Sequence, residues 1–113
     1  MLAFRIIKKV ISKSFSGEGI IINNDNAKGV IFKGINKDEK RSIEFLNKNI
    51  TSGNVKTFNE NQVFIGTELA YNLNLKKNDK ISLMSSSFVA TPLGSLPKQE
   101  SFSIAGTFTT GFL

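Results

Sequence analysis

Apolar residues recur in two rhythms along this chain, and the change from one to the other outlines its elements. Near the start, Phe4, Ile7 and Ile11, flanked by Ile6 and Val10, fall on one face of a short helix. Over 14–22 the β-branched residues become dense. Asn23-Asn24-Asp25-Asn26 then supplies side chains that tolerate turn conformations, and strand character resumes over 29–35, so the stretch predicts a hairpin. Asn36 suits a helix cap, with Asp38 and Glu39 placed where the helix dipole favours negative charge. Ile43, Leu46 and Ile50 supply the buried stripe of that helix.

The second half continues in short pieces. Residues 51–54 read as a turn, and Val63-Phe64-Ile65 as a strand leading into Gly66. Thr67 is placed to cap a helix that runs to Leu73 with Leu69, Ala70 and Leu73 inward. Residues 76–80 form a turn feeding a strand over about 80–87. Over 102–108, Phe102, Ile104 and Gly106 alternate with Ser103, Ala105 and Thr107, which is the period of a strand. The stretch between those strands, 88–100, reads as a loop longer than a hairpin needs, and long connections in compact domains are often functional. The fold class expected is α+β, β-rich, with a mainly antiparallel sheet and two or three short helices, built as one unit over 1–113.

Composition narrows the chemistry. At 113 residues and 40% hydrophobic content the chain can bury one modest core. No apolar run approaches the roughly 18–20 residues of a membrane-spanning helix. The N-terminal residues lack the long apolar centre and small-residue cleavage site of a signal peptide. Histidine and cysteine are both absent, which excludes thiolate and imidazole metal ligands, cysteine nucleophiles and triads with a histidine base. The nine carboxylates are scattered, and Glu18, Glu68 and Asp79 read as surface charges. Ser16-Gly17-Glu18-Gly19 lacks both the glycine spacing of a dinucleotide loop and the Gly-Lys-Ser/Thr ending of a triphosphate loop. No catalytic residue, metal or cofactor is expected. The formal charge of +6 and ten phenylalanines leave a basic nucleic-acid-binding domain as the alternative, although the lysines are spread along the chain and no aromatic RNA-binding motif is present.

The segment 88–99 carries the sharpest signal. Pro92 and Pro97 fix their own φ angles and hold Thr91 and Leu96 extended, while Gly94 permits a bend between them. Phe88, Val89, Leu93 and Leu96 are too apolar for an idle solvent loop. Two readings stand: a stiff apolar projection that enters a partner's groove with little entropy loss, or a loop folded back on its own core.

Thr91-Pro92-Leu93-Gly94-Ser95-Leu96-Pro97, followed by Phe102-Ser103-Ile104-Ala105-Gly106-Thr107-Phe108, resembles the LolC-type permease of the lipoprotein-releasing system. Four further blocks resemble it in the same order: 29–35, Ile50-Thr51-Ser52-Gly53, Ile65-Gly66-Thr67-Glu68-Leu69-Ala70, and 73–81. The likeness runs over about 7–112. It implies a fragment of a periplasmic domain, starting after that domain's first strand and without the transmembrane helices, in the fold shared with macrolide-exporter-type permeases. It also implies an inner-membrane parent with this piece on the periplasmic side, a separate ATPase subunit that hydrolyses ATP, a second permease copy or paralogue, and lipoprotein cargo. The family's protruding hairpin, the hook, captures a LolA-like periplasmic carrier. By that resemblance Pro92 and Leu93 form its tip, Phe88, Val89, Leu96 and Pro97 its flanks, and Lys98 the basic position at its base, with Gly94 also among the partner-binding residues. Glu100 stands where the family often carries a basic residue. The Thr-Pro-x-Gly-x-x-Pro hook separates LolC-type or hybrid permeases from LolE-type paralogues, and from other permeases of the same fold.

Overall fold

The computed structural model describes residues 2–6, 15–35, 40–92 and 94–109. The chain forms β1 (Leu2–Ile6), β2 (Phe15–Asn23), β3 (Asn26–Ile35), α1 (Lys40–Asn49), β4 (Ile50–Ser52), a 3-10 turn (Val55–Thr57), β5 (Gln62–Gly66), α2 (Thr67–Leu73), β6 (Lys80–Thr91) and β7 (Gly94–Phe108). Among the described residues only the β1–β3 and β5–β7 pairings are parallel and the other five are antiparallel, so the mainly antiparallel α+β expectation holds.

The sheet closes on itself. Its order is β4-β7-β5-β1-β3-β2-β6, and β6 also pairs with β7, so six strands form a ring and β4 joins as an extra rung at Phe108. Closure works because β7 is long enough to serve two neighbours in succession. Its first part, Gly94 to Ser103, runs against β6, and its last part, Ser103 to Phe108, runs beside β5.

The ring encloses an inner core. Ile21, Val30, Phe32, Val63, Ile65, Ile81, Leu83, Phe102 and Ile104 from five strands pack with Leu69, Ala70 and Leu73 of α2. A second, outer core lies on the opposite face of the same strands, where Ile35, Phe64, Ala105 and Phe108 meet Leu46 of α1 and Phe58, with Ile43, Ile50 and Val55 beside them. β5 shows the division most plainly: Val63 and Ile65 face inward while Phe64 faces α1, as the two-residue period requires.

β7 changes sides by a bulge. Val63 pairs with Ile104 but Phe64 pairs with Gly106, which leaves Ala105 as the extra residue. Phe102 and Ile104 therefore belong to the inner core, whereas Ala105 and Phe108 belong to the outer one. The uninterrupted alternation expected over 102–108 fails at this point. Gly106 is required there, because a Cβ at that position would overlap the Ser52 carbonyl oxygen and crowd Phe64.

Other expectations need correction. Leu2–Ile6 is a strand between β3 and β5, not the first turn of a helix, because its apolar positions fit a two-residue period as well and two strand partners outweigh local preference. Residues 7–11 of that expected helix, and the Asn36 cap with Asp38 and Glu39, lie outside the described residues. Ile50 opens β4 rather than closing α1. Gly66, not Thr67, is the cap residue of α2, and the Thr67 hydroxyl instead donates to the Phe108 carbonyl at 3.0 Å, tying the helix to the end of β7. The hairpin of β2 and β3, the 63–65 strand and the inward set Leu69, Ala70 and Leu73 are found as expected.

Candidate functional site

β6 and β7 outrun the sheet to which they belong. β2 accompanies β6 only as far as Gly19 opposite Ser85, and β5 takes up β7 only from Ser103. Beyond those rungs, among the described residues, the two strands have only each other as sheet partners. Phe88 stands opposite Pro97, Val89 opposite Leu96, Ala90 opposite Ser95, and Thr91 opposite Gly94. At ~3.3 Å per residue the ribbon runs roughly 20 Å from Ser85 to Thr91.

The segment 88–100 is thus not the loop expected from sequence. It is a pair of strands joined across two residues, Pro92 and Leu93, and Leu93 lies outside the described residues. Proline fixes φ near −65°, which excludes the positive φ that mirror-image hairpin turns need at their first position. Gly94 takes up the change of direction with φ +115°, and no atom lies within 4 Å of where its Cβ would be. Backbone angle rather than crowding demands glycine there. Pro92, Gly94 and Gln99 are exposed.

Pro97 sits inside β7, where a proline would ordinarily break a ladder. Hydrogen-bond parity explains why it does not. The Ile104 amide donates to Asp79 on the β6 side, at 2.8 Å, and the Ser103 amide donates to Asn61 on the other side, at 3.0 Å. Alternation along β7 then turns the nitrogens of 101, 99 and 97 away from β6, toward an edge with no strand partner among the described residues. Proline at that edge costs no ladder bond and leaves a docking strand without one donor. Pro97→Val restores that donor. We expect the variant to self-associate with rising concentration by light scattering while the parent does not; identical behaviour of the two would refute the edge argument.

Of the residues singled out from sequence, the ribbon therefore gathers Phe88, Val89, Pro92, Gly94, Leu96, Pro97 and Lys98. Lys98 occupies β7 where the β6–β7 register shifts, between Met84/Gln99 and Phe88/Pro97. Glu100 stands opposite Leu83, on the closed part of the sheet. Ser85-Ser86-Ser87, a run of three serines inside β6, is a further sequence signal, since such a run fits regular strand pairing poorly.

A polar hollow of about 360 Å³ lies elsewhere, lined by Asn23, Asn24, Asn26, Leu73, Asn74, Asp79 and Lys80. Two of its polar groups already serve the fold. The Asn23 amide donates to the Leu73 carbonyl at 3.0 Å, and the Asp79 carboxylate accepts from the Lys76 amide at 2.8 Å. Among the described residues no three potential metal-ligating side chains converge, and no helix is long and apolar enough to cross a membrane. Exposed Lys28, Lys48, Lys56 and Lys76 stand on four different segments: β3, α1, the 3-10 turn and the α2–β6 connection.

No protein-family model matches the sequence. Against curated proteins the likeness is distant but names a system. The chain is similar to LolC, the lipoprotein-releasing system transmembrane protein. In each of two Xylella fastidiosa strains, Temecula1 and 9a5c, it is 21% identical to LolC over 94 residues, with 81% of this chain covered. Those residues make up 23% of each LolC, so the chain spans less than a quarter of the relatives it matches.

Proposed function

We propose that this chain is a periplasmic piece of an ABC transporter permease of the LolC type, and that the β6–β7 ribbon is the element by which it takes hold of a periplasmic lipoprotein carrier. The observation that carries the reading is the ribbon's departure from the closed sheet, with two strands paired, among the described residues, only to each other and Pro92 exposed at the turn. Phe88, Val89, Leu93 and Leu96 make this an apolar ribbon, and a hairpin already formed before contact loses little conformational entropy on entering a hydrophobic cleft. The distant likeness to LolC supports the choice of system. In this reading the domain makes and breaks no covalent bonds. ATP is hydrolysed by a separate ATPase subunit, a second permease copy or paralogue completes the complex, and lipoprotein is the cargo. The parent sits in the inner membrane, with this piece on the periplasmic side as part of the core shared with macrolide-exporter-type permeases.

The test replaces Pro92 with serine and Leu93 with aspartate together. Titration calorimetry against a LolA-type carrier should show binding weakened about 30-fold, the ~2 kcal/mol expected when a central apolar anchor is lost. Circular dichroism and melting temperature should stay unchanged. Equal affinity in a folded variant would remove the docking role. Retention on single-stranded nucleic acid that fades steeply with salt would instead favour the basic-surface alternative.

A further inference from the structure

The register of β6 against β7 is interrupted where the ribbon leaves the sheet. Met84 pairs with Gln99 and the next pair is Phe88 with Pro97, so Ser85, Ser86 and Ser87 stand against Lys98 alone and β6 carries two residues in excess. Ser85 still pairs with Gly19 of β2, so of these three it is Ser86 and Ser87 that pair with neither neighbouring strand among the described residues, just past the last rung that β2 provides. β5 does not reach β7 until Ser103. Among the described residues, three supports therefore end close together: the neighbour on one side, the neighbour on the other, and the continuity of the β6–β7 ladder. Serine adds no β-branching that would stiffen the strand there.

We infer that Ser86 and Ser87 form a hinge, so that the ribbon reorients as a unit against a closed sheet that stays fixed. An even number of excess residues is what such a device needs. Because the side-chain period of a strand is two, the interruption leaves each outer position on the face it would occupy in an unbroken ladder. The hinge rests on the docking reading for its purpose, which is to let the turn find a partner's cleft without disturbing the core. Its mechanics are independent of that reading.

Since the chain has no cysteine, spin labels can be introduced in pairs without background. One pair, Ser95→Cys with Tyr71→Cys, reports ribbon against body. A control pair, Lys28→Cys with Tyr71→Cys, lies within the body. Electron double resonance with no partner present should give a distance distribution about twofold broader for the ribbon pair than for the control, since collective hinge motion adds to label motion. Deleting Ser86 and Ser87 together should bring the ribbon pair down to the control width, because the ladder then runs unbroken from Ser85 opposite Lys98 to Phe88 opposite Pro97. Equal widths in the undeleted sequence would overturn the hinge, as would a broad distribution that survives the deletion. If the deleted chain does not fold, the two pairs in the undeleted sequence still decide. A mobile ribbon that fails to bind a carrier would sink the docking role alone, and a rigid ribbon that binds would sink the hinge alone.

Discussion

Phe64→Ala should remove about 3–5 kcal/mol of folding stability. Phe64 is fully buried in the outer core, with its ring edge-on to Phe58 at a centroid distance of 4.8 Å and an interplanar angle of 86°. Truncation loses the transfer energy of the ring and its aromatic contact, and it leaves a cavity that close-packed neighbours cannot fill. Domains of this kind hold only about 5–15 kcal/mol in all, so the loss takes roughly a fifth or more of the total and should lower the urea midpoint in proportion. Tyr71→Ala, at a site 86% exposed, should stay within about 0.5 kcal/mol of the parent. A Phe64→Ala loss below about 1 kcal/mol would mean that the outer core does not hold α1 as described.

Gly106→Ala is the second large effect, and it has an internal control. The added methyl would overlap the Ser52 carbonyl oxygen and press on Phe64 and Gly53, so backbone on both sides of the β4–β7 rung must move. A cost of about 3 kcal/mol or more is expected from forcing atoms into a filled site. Gly29→Ala adds the same methyl to a strand position with nothing within 4 Å. There the substitution should raise stability by roughly 0.5–1 kcal/mol, because alanine has less chain entropy to lose than glycine. Denaturant titration of both variants tests the sign as well as the size. Two losses of similar magnitude would show that glycine's backbone freedom, not the close approach at Gly106, governs both sites.

What could be read from residue order was what depended on near neighbours. The hairpin of β2 and β3 was legible because Asn23-Asn24-Asp25-Asn26 announces a turn, and Asn24 does adopt a left-handed φ of 55°. The inward face of α2 was legible because Leu69, Ala70 and Leu73 repeat at helical spacing. The failures share one cause. Whether Leu2–Ile6 is helix or strand depends on β3 and β5, whether 102–108 alternates depends on the bulge against β5, and whether Pro97 can stand in a strand depends on which edge its nitrogen faces. None of these partners is close in the chain. The ribbon stands out in the sequence for its prolines and apolar residues, but those same prolines disguise two strands as a loop.

Among the described strands, the one that seals the ring comes last in chain order. A ribosome that has released everything through β6 has produced a curled sheet with raw borders on β5 and β6, and neither can be covered until the stretch that ends at Phe108 emerges. Contacts of such long sequence separation form slowly. Nascent chains stalled before Phe102 should therefore be the species most in need of a chaperone, and stop codons there should yield insoluble rather than merely shortened product.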